Sequence, residues 1–389
     1  MGYSTPYITF MLILIFLSIL SFISNDKKTH HFLSLITGAV FIVFIGCRGY
    51  VQTDTLVYSS LYDTIDSFSS LRYVASKVDS GYVLYMWIIK YLGFSYQYFV
   101  LISTIIDLIL LIIIFRYYFS YKYFPLFIIV FISFSGLGYE INLFRNVKSI
   151  LLFLISIRYI QNRELSKFMI INLIGLSFHW SSILFFPLYF VLNRKLSLKS
   201  FFTCFFIGVL IYILSPIFLK IFLSLIGNMF AGFTFAAKLQ SYIEIGTYSV
   251  GKTFSFLDFS LIIFYFIIAV SYNKTINKYP ESICFFNLFI FYFFAVCMSS
   301  AMIIFRQRIA LLFVPTCWFL FIWIIMAERR VIKFLIFTIL SSYSLLLLYR
   351  QTRADIFYQY DNYLLSEKVI SLEDRLEVYH LNIDKNKED

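Results

Sequence analysis

The stretch from Tyr96 to Phe115 reads YQYFVLISTIIDLILLIIIF, 20 residues with one charged side chain, Asp107. A helix needs about 20 predominantly apolar residues to cross a bilayer, so this stretch predicts a transmembrane helix. Similar stretches recur along the chain: of its 389 residues, 61% are hydrophobic, 22% aromatic and 14% charged. Soluble domains carry about 25% charged residues. The composition therefore predicts an integral membrane protein and excludes water-soluble enzymes, secreted disulfide scaffolds and disordered chains.

The apolar stretches on either side predict an all-α fold, a polytopic transmembrane helical bundle of about 10–12 spans. We expect one transmembrane domain over residues 1–349, with longer outer loops near residues 48–80 and 228–256. Residues 350–389 are expected to form a polar C-terminal tail. The five cysteines show no paired spacing, so we expect buried apolar residues, with no disulfide framework and no metal site.

Basic residues orient the spans, because short cytoplasmic loops carry an excess of Lys and Arg. The formal net charge is +11, and much of the excess lies in short loops between apolar stretches. No basic residue precedes the stretch 6–23, and two lysines follow it, so we expect an uncleaved span with its N-terminus outside.

Two apolar stretches do not read as simple spans. Residues 81–93 are too short to cross the membrane comfortably, so they form either a re-entrant or interfacial helix or a span. The polar break at His179 divides residues 168–192 into two short helices that meet at the outer side.

In this threading, the charged residues outside the cytoplasmic loops collect at the opposite ends of the helices. They include Arg48, Asp54, Glu140, Arg145, Lys148, His179, Arg306 and Arg308. Charged groups are costly near lipid and usually line a water-accessible cavity or bind a charged ligand. The planar guanidinium group of arginine donates paired hydrogen bonds that match phosphate oxygens. Several arginines that converge on one outer cavity therefore predict a pyrophosphate site.

Each assignment has an alternative. Arg48 ends a span, where a snorkelling anchor is common. Arg306 and Arg308 are two residues apart and point to different faces of a helix, which leaves a headgroup contact open for one of them. His179, beside Trp180, is also typical of an interfacial aromatic belt.

Five segments resemble, in the same order, motifs of the EpsG-like branch of the Wzy-type polysaccharide polymerases. They are RGYVQTDTLVY at 48–58, DSGY at 79–82, NLFRNVK at 142–148, FHWSS at 178–182 and FRQRI at 305–309. This chain departs from the family pattern at Gln52-Thr53, which replace the usual glycine before the aspartate. Asn146, Ser182 and Asp79 are further departures, standing where glutamine, a small apolar residue and glutamate are usual.

The resemblance implies a multi-pass glycosyltransferase of GT-C type in the bacterial cytoplasmic (inner) membrane, without metal or cofactor. It implies transfer of a growing glycan from undecaprenyl pyrophosphate to the next lipid-linked repeat, giving O-antigen, capsule or exopolysaccharide. The implied partners are undecaprenyl-pyrophosphate-linked oligosaccharide, membrane lipids and a chain-length regulator protein, with no nucleic acid.

The predicted site combines phosphate binding with proton transfer. For pyrophosphate we assign Arg145 and Arg306, assisted by Arg48 or Arg308. For the catalytic group near the acceptor hydroxyl, the candidates are Asp54, His179 and Glu140. Further substrate contacts are assigned to Lys148, Tyr58 and Asp79.

Three other classes of protein stay open. An O-antigen ligase uses the same donor with a lipid A core acceptor, but usually carries one very large outer loop late in the chain. A transporter or flippase would show broken inverted repeats or charged relays near the midplane, where only Asp107 and Lys90 lie. Asp107 is also typical of helix packing. The third class is a non-catalytic assembly protein.

Overall fold

The computed structural model describes residues 2–75, 78–229, 256–298, 306–366 and 369–388. Within these ranges every regular element is a helix, apart from one isolated antiparallel bridge between Arg48 and Asn362. Seven helices are long and apolar enough to cross a membrane, and four further apolar helices are shorter. The predicted all-α polytopic fold is confirmed, and the chain is a multi-pass membrane protein.

The chain divides into two compact units, Met1–Phe186 with Arg330–Asp389, and Pro187–Arg329. The α-helices of the first unit are α1 Thr5–Ile23, α2 Lys27–Phe41, α3 Thr53–Thr64, α4 Phe68–Ala75, α5 Ser80–Tyr91, α6 Tyr96–Tyr118, α7 Phe124–Phe131, α8 Leu137–Ile141, α9 Phe144–Gln161, α10 Leu165–Phe178, α15 Arg330–Thr352 and α16 Leu372–Glu388. The second unit contains α11 Leu198–Met229, α12 Phe256–Lys278, α13 Ile283–Met298 and α14 Thr316–Ala327, besides a single helical turn at Leu311–Phe313.

The predicted outer loop near residues 48–80 contains two helices, α3 and α4. In α3, Tyr58 and Tyr62 lie one turn apart on the same face and are both buried, as is Ile65 directly after the helix. The Tyr58 ring lies 5.3 Å from that of Tyr82 on α5, and the Tyr62 ring lies 5.2 Å from that of Phe99 on α6. This aromatic core attaches α3 to α5 and to α6, which is a candidate span.

The apolar stretches 81–93 and 168–192 both form short helices. The stretch 81–93 forms α5, whose 12 residues reach only about 18 Å, short of the roughly 30 Å of a hydrocarbon core. The stretch 168–192 is broken as predicted, because α10 ends at Phe178 and the 3-10 helix Trp180–Phe190 follows. The predicted outer loop at 228–256 lies almost entirely outside the described residues.

A kink interrupts the candidate span Tyr121–Ile141. Phe134 has φ −105° and ψ 68°, and Ser135 has φ 69°, so the helical hydrogen-bond pattern breaks between α7 and α8. As a result, Glu140 lies in the short α8, and α9 begins at Phe144.

Candidate functional site

Arg145, in the first turn of α9, joins α3 to the start of α5. Its Nη1 donates to Oδ2 of Asp79 at 2.5 Å, and its Nε donates to the hydroxyl of Tyr58 at 2.6 Å. The side chains of Arg145 and Asp79 are 23% and 19% exposed. Nη2 of Arg145 donates to no group in the described part of the chain. The guanidinium is therefore held on two sides and keeps one nitrogen for an anion.

Asp79 connects this guanidinium to the break after α10. Its Oδ2 also lies 3.4 Å from Nδ1 of His179, and its Oδ1 accepts a hydrogen bond from the backbone N–H of Trp180 at 3.3 Å. Burial alone would raise the pKa of Asp79, but the hydrogen bond to His179 and the charge of Arg145 outweigh burial and lower that pKa. Asp79 is therefore a carboxylate at neutral pH.

The contact with Asp79 orients the imidazole of His179. Because Oδ2 of Asp79 accepts a hydrogen bond, the contact favours the His179 tautomer with its proton on Nδ1. Nε2 then carries the lone pair. This arrangement of carboxylate and imidazole is suited to general base chemistry.

Gly81 lets α5 approach α10 closely enough to bring Asp79 to His179. A Cβ atom added at Gly81 would lie 2.2 Å from Oγ of Ser177 and 2.8 Å from its backbone carbonyl carbon. Ordinary carbon contacts begin near 3.5 Å, so any side chain here must push the two helices apart.

We therefore expect Gly81→Ala to destabilise the protein by about 1–3 kcal/mol, because the helices must separate. Thermal unfolding in detergent checks this. Gly138→Ala in α8 is the matched control, since a Cβ there meets nothing within 4 Å. Equal stability of the two variants would show that the close approach is unimportant.

Asp54 reaches the same region through the first turn of α3. Its backbone N–H donates to Oδ1 of Asn142 at 3.1 Å, which satisfies one of the unpaired amides at the helix start. Tyr58, one turn further, interacts electrostatically with Asp54, Arg145 and Asp79. Burial raises the pKa of Tyr58 to about 12, so its hydroxyl stays neutral. Asn142 was not among the predicted site residues, although it begins the motif that contains Arg145.

Arg48 is 3% exposed and makes internal contacts. Its Nη1 donates to the carbonyl of Ile45, and its Nη2 donates to the carbonyl of Glu140 at 2.6 Å. Its guanidinium carbon lies 5.3 Å from the ring centre of Phe144. Arg48 thus joins two helix ends through their unpaired carbonyls, and its role in pyrophosphate binding stays a prediction.

Lys148 belongs to a second, deeper cluster. Its Nζ forms an ion pair with Oδ2 of Asp107 on α6 and donates to Oγ of Ser103 at 2.7 Å. Glu140 is buried near both charges, and its Oε1 has no hydrogen-bond partner among the described residues. Lys148 therefore has different partners from Arg145, although it lies only three residues further along the same helix.

Arg306 and Arg308 lie in the second compact unit. The side chain of Arg306 is outside the described part of the chain, and that of Arg308 is exposed. Pyrophosphate binding by this pair stays a prediction. The first unit brings together Asp54, Tyr58, Asp79, Arg145 and His179, from four segments of the chain.

The sequence profile of the EpsG family matches residues 31–364, which is most of the chain and includes every residue of this cluster. No curated protein and no solved structure matches. The predicted resemblance is confirmed: the chain belongs to the EpsG family, a branch of the Wzy-type polysaccharide polymerase-like membrane proteins.

Proposed function

We propose that this protein is a glycosyltransferase that joins undecaprenyl-pyrophosphate-linked oligosaccharide repeats into a bacterial surface polysaccharide. The reaction takes place at the outer face of the cytoplasmic membrane. The observation that carries the proposal is the position of Asp79, which contacts both the Arg145 guanidinium and the His179 imidazole. A diphosphate-binding cation beside a proton acceptor is what glycosyl transfer from a diphosphate donor requires.

In the proposed step, the bond between the sugar C1 and the phosphate oxygen breaks, and its electron pair leaves with undecaprenyl pyrophosphate. The acceptor hydroxyl oxygen forms the new bond to C1. Its proton moves to Nε2 of His179, and Asp79 stabilises the resulting imidazolium through Nδ1. Arg145 stabilises the negative charge that develops on the pyrophosphate.

Arg145 is able to exchange partners in this step. Its pair with Asp79 is partly exposed, so an incoming diphosphate reaches the guanidinium and competes with the carboxylate for it. Nη2 is available for the first phosphate oxygen, while Tyr58 holds Nε. We assign sugar binding beside this position to Trp180, because Asp79 accepts a hydrogen bond from its backbone N–H and the residue is 65% exposed.

The experiment that tests the function uses the purified protein in lipid nanodiscs, with the undecaprenyl-pyrophosphate-linked repeat of the host as sole substrate. We expect a ladder of longer glycans and one undecaprenyl pyrophosphate released for each repeat joined. A ligase would give product only when lipid A core is added, and a flippase would leave the substrate chemically unchanged. Either result, with protein that unfolds cooperatively on heating, would overturn the proposal.

A further inference from the structure

Residues 355–366 and 369–375 are here named the C-terminal strap, and part of this strap pairs with the segment that precedes Asp54. The backbone N–H of Gly49 donates to the carbonyl of Asp361 at 3.0 Å, and the N–H of Tyr363 donates to the carbonyl of Cys47 at 2.8 Å. These two hydrogen bonds flank the antiparallel bridge between Arg48 and Asn362. Residues more than 300 positions apart in sequence therefore share one short ladder.

Gln52, which directly precedes α3, has φ 69° and ψ 163°. This region of backbone conformation is essentially restricted to glycine, and another residue persists there only when its surroundings hold it. The strap supplies those surroundings. The backbone N–H of Gln52 donates to the carbonyl of Phe357 at 2.9 Å, and its Nε2 lies 3.5 Å from Oδ2 of Asp355.

Arg375 holds the part of the strap that contacts Gln52. Its side chain is buried; its Nη2 donates to the carbonyl of Gln359 at 2.5 Å, and its Nη1 lies 3.4 Å from the carbonyl of Ile356. These two carbonyls flank Phe357, the acceptor for Gln52. The guanidinium also lies 3.9 Å from Oδ1 of Asp361. Arg375 thus ties together the turn that fixes the Gln52 backbone.

We propose that the C-terminal strap is a positioning element of the site, with Arg375 as its key residue. By holding Gln52 in a conformation suited to glycine, the strap sets where α3 begins. The start of α3 in turn sets the position of Asp54 and of Tyr58, which holds Arg145. The effect on glycan elongation rests on the proposed function, whereas the effect on stability does not.

The test compares Arg375→Ala, Gln52→Gly and the double variant with the parent protein. Arg375→Ala is expected to slow elongation by about tenfold or more, since small displacements of positioned groups have large effects on rate. Gln52→Gly removes the need for restraint, because glycine adopts this conformation freely. The double variant is therefore expected to recover most of the elongation and of the thermal unfolding midpoint.

Arg353→Ala is the matched control, because it removes an exposed arginine just before the strap. If Arg375→Ala fails to accumulate, Arg375→Lys, which keeps the charge, takes its place. Gln52→Gly should again restore the elongation rate and the unfolding midpoint that Arg375→Lys lowers. If Gln52→Gly relieves neither defect, or if Arg375→Ala behaves like Arg353→Ala, the proposal is overturned. Recovery of the unfolding midpoint in proteins that never elongate glycans would support the strap and contradict the proposed function.

Discussion

Replacing Arg145 with alanine is expected to lower the rate of glycan elongation by a factor of about 10² to 10³, the range observed when one donor to a developing negative charge is removed. In the described cluster, Arg145 carries a permanent positive charge, and its Nη2 is available to donate to a phosphate oxygen. Without it, the leaving pyrophosphate must develop its charge beside the carboxylate of Asp79. Elongation by purified protein and accumulation of single repeats on the lipid carrier are the measurements.

Two variants make this result specific. Arg145→Lys keeps the charge but loses the planar fork, so we expect an intermediate rate. Arg163→Ala removes an exposed arginine just beyond the opposite end of α9 and should leave the rate unchanged. If Arg145→Ala elongates glycans as fast as Arg163→Ala, the assignment of the site is wrong.

Replacing Asp107 with leucine is expected to destabilise the protein by about 3–5 kcal/mol, because it leaves the ammonium of Lys148 buried without its ion-pair partner. Both side chains of the pair are at most 5% exposed. Ser103 still accepts a hydrogen bond from Lys148, but a hydroxyl does not balance a buried charge. Thermal unfolding in detergent and the yield of folded protein from membranes measure the loss.

The double variant Asp107→Leu, Lys148→Met provides the control for this pair. Removing both charges is often neutral or stabilising, so we expect it to recover most of the lost stability. Glu140 keeps Arg48 as a nearby cation in this variant. Rapid elongation by the double variant would also show that Lys148 does not bind substrate, contrary to its prediction from sequence. Tolerance of Asp107→Leu alone would mean that Lys148 reaches water or takes Glu140 as its counter-charge.

Much of the candidate site could be predicted as a set of residues. Arg145 and His179 were predicted from polar groups at helix ends, where charges near lipid are costly, and Asp79 was predicted from the resemblance of residues 79–82 to a family motif. Their connection was not predictable, because hydrogen bonding depends on distances between helices far apart in the chain. Arg145 and Lys148 illustrate this: they share one helix and a spacing of three, yet Tyr58 and Asp79 contact the first, and Asp107 contacts the second.

In the C-terminal strap, too, the sequence shows the residues but not their contacts. The sequence shows Gln52 where the family pattern has glycine, but the left-handed backbone is visible only in the folded chain. Arg375 lies in a segment that composition describes as a polar tail, and the family match ends before it. Arg375 is buried against a turn whose backbone carbonyls, at Ile356 and Gln359, accept its hydrogen bonds. No sequence pattern shows that these two carbonyls are available as acceptors.

The amino-acid sequence alone determined that this protein is helical and resides in a membrane. That conclusion requires only the number and length of apolar stretches, since lipid forces each spanning segment to satisfy its own backbone hydrogen bonds. Tertiary structure decided which polar groups meet: Asp79 with Arg145 and His179, Lys148 with Asp107, and Gln52 with Phe357. These contacts join segments far apart in the chain, and their energies depend on burial and on distances of a few ångströms, which local sequence does not encode.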